Sequence, residues 1–164
     1  MKAIHTMIGA LGLAFVLSAP AAADVNDPEV IIYRFPGVLD DGGPTNDGVA
    51  TVFHCTNFSG VVETVRFVTR FGTGNIASNL TVTIPHLGTK SASTHPTFAY
   101  TVEANLGTGA VGPGAGDPGQ GTTAIAATSI NVICTAETIY GATAAPVGVS
   151  RRGIRFNPVP GSQE

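Results

Sequence analysis

Two cysteines, three histidines and one knot of acids are the residues of this chain best suited to chemistry. Cys55 and Cys134 make an even pair. In an exported chain such a pair favours a disulfide, with buried free thiols as the alternative. His54, His86 and His95 supply the three imidazoles that an open zinc site would need. None of them has the close spacing of a ligand pair on one helix or hairpin. His54 also points away from Cys55 wherever the two share a strand. The expectation is therefore surface or loop histidines held by hydrogen bonds. Asp40, Asp41, Asn46 and Asp47 can offer oxygens to Ca²⁺. Their spacing does not fit an EF-hand loop, and Asp, Gly and Asn are also ordinary turn residues. No metal and no cofactor is assigned. Asp40, Asp41 and Asp47 stand as the candidates for ligand contact.

Other apparent motifs carry less. Gly107-Thr108-Gly109-Ala110-Val111-Gly112 spells the dinucleotide fingerprint. That fingerprint works by opening a helix onto a pyrophosphate, and here Pro113 and more glycines follow. Ser and Thr are plentiful enough to supply a Ser-His-acid triad, but no strand-turn-helix nucleophile elbow is present. Glu63, Glu103 and Glu137 sit singly on predicted strands, a poor supply for paired-carboxylate glycoside hydrolysis. Asn57-Phe58-Ser59 and Asn79-Leu80-Thr81 are glycosylation sequons. The formal charge is −3, and the one basic cluster is Arg151, Arg152 and Arg155. A phosphate-binding face needs a denser basic stripe, so no nucleic-acid partner is expected. The arginines read as charge guarding a solvated edge strand.

The elements that must position these residues are strands. Thr, Val, Gly and Ala dominate, and apolar residues recur with period two. Candidate strands cover 29–35, 49–55, 61–71, 76–84, 98–106, 122–140 and 147–156. The sixth is too long for one strand and should be broken or bulged. In 61–71, Val65, Phe67 and Phe71 point one way, Arg66 and Arg70 the other. In 76–84, Ile76, Leu80, Val82 and Ile84 oppose Asn79, Thr81 and Thr83. Such strands make antiparallel sheets wetted on one side. About seven of them, separated by turns, predict an all-β antiparallel sandwich of immunoglobulin-like architecture. If successive strands alternate in direction, Cys55 and Cys134 run the same way and can bridge the two sheets at one depth. That arrangement resembles the inter-sheet bridge of immunoglobulin-like domains. The chain has no Trp, and Val132 stands where that family places Tyr, so the resemblance implies architecture and no family.

Residues 1–23 read as a cleavable export signal. Lys2 is followed by an apolar run, then Pro20 and the small residues Ala21, Ala22 and Ala23. The remaining 24–164 is expected to be one exported domain, secreted or periplasmic, with no membrane span. The stretch 107–121 is rich in glycine and should form a mobile loop. Strand parity puts the 40–47 loop, the 72–75 turn and this Gly-rich loop at one end, and the cysteines with all three histidines toward the other. Three readings follow. The first is a non-catalytic binding module for a protein or glycan ligand, acting through its loops. The others are a structural subunit that assembles by strand addition, and a small hydrolase or metal-dependent enzyme.

Overall fold

A computed structural model describes residues 29–100, 104–109, 111, 120–142, 148–151 and 153–155. The export signal assigned to 1–23 lies outside the described residues. Among the described residues ten strands form: β1 (Val30–Val38), β2 (Val49–Asn57), β3 (Glu63–Arg70), β4 (Ile76–Ile84), β5 (Thr89–Ser93), β6 (Ala104–Asn105), β7 (Gly121–Ala127), β8 (Val132–Tyr140), β9 (Gly148–Arg151) and β10 (Ile154–Arg155). They build two five-stranded sheets, ordered β10-β1-β7-β3-β4 and β6-β5-β2-β8-β9. Every pairing is antiparallel except β5 with β6. The chain is an all-β sandwich.

Period-two alternation accounts for the layering. Val65 and Phe67 bury from β3, while Arg66 turns outward and pairs with Glu29. On β4, Ile84 is buried and Leu80 and Val82 pack on the core, whereas Asn79, Thr81 and Thr83 face solvent. Phe53 of the second sheet inserts between Phe35 and Phe67 of the first, with ring centroids 5.5 and 6.0 Å away. Rings at that separation contribute beyond their buried area, so the three phenylalanines tie the sheets together at mid-depth.

Four expectations need correction. First, among the described residues the strands number ten, because the polar segment 85–96 contains β5, 122–140 holds both β7 and β8, and 147–156 divides into β9 in one sheet and β10 in the other. Arg151 and Arg155 therefore belong to different sheets, and Arg152 lies outside the described residues. Second, 122–140 is broken, as its length predicts, but into two strands of opposite direction, with Thr128 to Asn131 as the turn. Third, that reversal changes the disulfide. Cys55 and Cys134 face each other on neighbouring antiparallel strands of one sheet, with S–S 2.13 Å and Cα–Cα 4.2 Å. A Cα separation this short marks a non-hydrogen-bonded pair, where facing side chains come closest. The bridge cross-links β2 to β8 and does not join the sheets. Fourth, β5 carries the chain back across the sandwich, so His95 emerges at the end opposite to the one assigned to it. Of the 98–106 candidate, only Ala104–Asn105 is strand among the described residues.

Candidate functional site

At the end of β1 the chain leaves the first sheet and crosses to β2. Asp40 sits at that crossing, 3% exposed, and its backbone bridges Val111 in both directions, at 2.9 and 2.7 Å. Val111 of the Gly-rich stretch is thus pinned here, and it is fully buried. The 72–75 turn belongs to the same end, since Arg70 pairs with Thr122 beside it. The Asp40 carboxylate accepts from Gly42 N (2.7 Å) and from Thr108 Oγ1 (3.2 Å). Asp41 is exposed, yet its carboxylate accepts from Gly43 N (2.9 Å) and Val49 N (2.8 Å). Gly48, at φ 75°, backs onto that carboxylate, where a Cβ would fall 2.4 Å from Asp41 Oδ1. Asp47 accepts from Gly48 N (2.8 Å) and from the Tyr140 hydroxyl (2.9 Å), and it pushes the Tyr140 phenol pKa up. The three candidate aspartates are therefore brought together, and each is engaged in shaping the loop.

His95 completes this group. Its Nε2 lies 2.7 Å from the Asp47 carbonyl, and its Nδ1 lies 3.0 Å from Asp40 Oδ1. Asp40 pushes the His95 pKa up, against the opposing effect of burial. For Asp40, burial pushes upward, but His95, Gly42 and Thr94 together bring the net value below the ordinary range.

A second group lies on the outer face of the second sheet. His54 projects outward from β2 between Ser91 of β5 and Thr135 of β8, both its direct cross-strand partners. Ser91 Oγ is 2.8 Å from His54 Nδ1, and Glu137 Oε1 is 3.5 Å from His54 Nε2. After β5 the chain passes over this face. Phe98 N donates to Gly141 O (2.9 Å), and the Tyr100 ring stands edge-on to His54 at 4.6 Å with its hydroxyl donating to Glu137. That carboxylate pushes the Tyr100 phenol pKa up. His54, Tyr100, Thr135, Ala136, Glu137 and Ser150 enclose an open pocket of about 530 Å³. Its floor is rigid, because the Cys55–Cys134 pair is the next rung of the ladder after His54–Thr135.

The three histidines do not converge. His54 is on this face, His95 is at the loop end, and His86 accepts from Gly60 N (3.0 Å) at the opposite end. Asn57 is fully buried and donates its amide to Val61 O (2.6 Å) and Ile84 O (2.8 Å), so the first sequon is sequestered in the folded chain. Asn79 is exposed. Glu63 is buried against Thr128, and Glu103 lies outside the described residues.

No protein-family model, curated protein or solved structure matches the chain. The geometry alone carries the reading.

In the sequence Glu137 reads only as an isolated acid, and nothing local singles out Ser91 or Tyr100. Strand parity told which way His54 faces. The register that sets Ser91 and Thr135 beside it is fixed by pairing across the sheet, which leaves no local signal.

Proposed function

We propose that this chain is an exported, non-catalytic binding protein that holds a hydroxyl-rich ligand, a glycan, against the outer face of its second sheet. The observation that carries this reading is the pocket of His54, Tyr100, Thr135, Glu137 and Ser150. Its size falls within the roughly 300–1,000 Å³ range of small-ligand sites. An aromatic ring offers stacking area at little entropic cost, and the carboxylate, imidazole and hydroxyls can both accept and donate to sugar hydroxyls. Export is supported by the leader-like 1–23 and by a disulfide that suits an oxidising compartment.

The row Ser91–His54–Glu137 places a hydroxyl, an imidazole and a carboxylate in sequence, as a hydrolase would. Two features favour binding over catalysis. The carboxylate oxygen nearest Nε2, at 3.5 Å, is the one that accepts from the Tyr100 hydroxyl, so it is not dedicated to the imidazole. The strand beneath is paired on both sides, by β5 and β8, so its ladder N–H groups are committed and cannot form an oxyanion hole.

The test is an oligosaccharide array probed with the mature chain, followed by titration of the strongest hit. Tyr100→Ala and Glu137→Gln should each weaken binding by at least about tenfold, the equivalent of one well-made contact. Asp47→Asn, at the other group, should leave it unchanged. An array without hits, or hits insensitive to both pocket substitutions, contradicts the proposal.

A second reading, assembly by strand addition, draws on β4. Among the described residues this nine-residue strand pairs only with β3, and an open edge of that length is a template for another chain. A concentration-dependent ladder in gel filtration would favour it.

A further inference from the structure

We infer that Asp40, Asp41 and His95 form a binding site for a divalent transition-metal ion at the loop end of the sandwich, separate from the outer-face pocket. One ligand atom from each of the three residues lies within 4.8 Å of the others. Proximity of acids alone would not make a site. The deciding feature is His95.

A carbonyl oxygen can only accept, so the 2.7 Å contact between Nε2 and Asp47 O fixes the proton on Nε2. In the neutral ring Nδ1 then carries the lone pair. His95 is 8% exposed, and Nδ1 itself is shut off from solvent. It faces Asp40 Oδ1 at 3.0 Å, an ion pair when the ring is protonated. A metal cation competes with that proton for the same two atoms, because a ligating imidazole must be neutral. With bonds of about 2.1 Å, two ligands of a tetrahedral ion stand about 3.4 Å apart, so the pair opens by a few tenths of an ångström to admit one.

The surroundings match a metal centre's outer shell. A ligating histidine characteristically donates its other N–H to a carbonyl or carboxylate, which is the role of Asp47 O here. Gly42 N and Thr108 Oγ1 hold the Asp40 carboxylate, and Gly43 N and Val49 N hold that of Asp41. These bonds leave lone pairs on each carboxylate for a metal. Leu39, Asp40, Asp41, Val49 and Val111 line a small open pocket of about 150 Å³ on the carboxylate side of the cluster. An imidazole beside two carboxylates selects a transition ion such as Zn²⁺ over Ca²⁺ or Mg²⁺, which prefer all-oxygen sites.

The test titrates Zn²⁺ into the chelator-treated mature chain by calorimetry and follows the imidazole ¹⁵N resonances in parallel. One equivalent should bind, with the His95 Nδ1 resonance moving and those of His54 and His86 staying in place. Millimolar Ca²⁺ should not displace it. His95→Gln should lower Zn²⁺ affinity by at least about 100-fold, beyond the roughly 10–100-fold typical of outer-shell changes. Thr108→Val, which removes only a hydroxyl from Asp40, should cost within that outer-shell range. The wild-type ¹⁵N measurement does not depend on any variant folding. An unmoved His95 Nδ1 at saturating Zn²⁺ would overturn the site, since Nδ1 would then be the protonated half of an ion pair with Asp40. Undiminished affinity in folded His95→Gln would overturn it equally.

Discussion

His54 and His95 share a side chain and differ in setting, and that difference was only half legible. Alternation along β2 makes His54 face away from Cys55, as observed. His95 follows Thr89-Lys90-Ser91-Ala92-Ser93, a strand with no large apolar residue to announce it. Missing that strand reverses the end of the molecule at which His95 emerges. Tyr100 carries the clearest residue-level consequence. A carboxylate beside a phenol disfavours the phenolate, so Glu137 holds the Tyr100 pKa above the ordinary value near 10. An NMR-detected titration of the tyrosine Cζ resonances should show Tyr100 ionising at higher pH than a free phenol. Glu137→Gln should bring it down toward the ordinary value. A wild-type Tyr100 that titrates normally would mean that the Tyr100–Glu137 contact does not persist in solution.

Strands with strong alternation were readable, and those defined by their partners were not. β3 and β4 follow directly from Val65, Phe67, Leu80, Val82 and Ile84. β6 and β10 are two residues long and exist only because a neighbour offers hydrogen bonds. The continuous run 122–140 concealed a reversal, because Thr128 to Asn131 carry neither Gly nor Pro to mark a turn. The bridge was correctly paired, and its placement failed with that reversal. Its sulfurs still close a loop spanning 79 residues of sequence separation. Replacing both cysteines by alanine should lower stability by about 2–5 kcal/mol, measured by denaturant unfolding. An unchanged midpoint would show that the ladder holds its register without the bridge. Val111 makes a comparable case inside the Gly-rich stretch. It is fully buried, and a Cβ at Gly121 would fall 2.4 Å from its Cγ1, so the two fit closely. Val111→Ala should therefore cost about 1–3 kcal/mol, a loss that a residue of a free loop would not show. A melting temperature equal to wild type would refute the anchoring.

On the scale of the whole molecule, two sheets around Phe35, Phe53 and Phe67 present two chemically distinct surfaces. One is the loop end, where buried Asp40 meets His95, Val111 and Thr108, with Asp41 and Asp47 beside it. The other is the outer face of β5-β2-β8, where polar side chains stand open over a disulfide-locked ladder. The sandwich class was legible because period two and turn spacing are local. The outer-face pocket was not, because the register that sets Ser91 and Thr135 beside His54 comes from pairing across the sheet. Whether ligand binds the outer face is read out by ¹H–¹⁵N chemical-shift mapping of the labelled mature chain with a bound oligosaccharide. Perturbations should centre on His54, Ser91, Tyr100, Thr135 and Glu137, with the loop end unaffected. Perturbations confined to residues 40–47 and 107–111, with the outer face silent, would contradict outer-face binding.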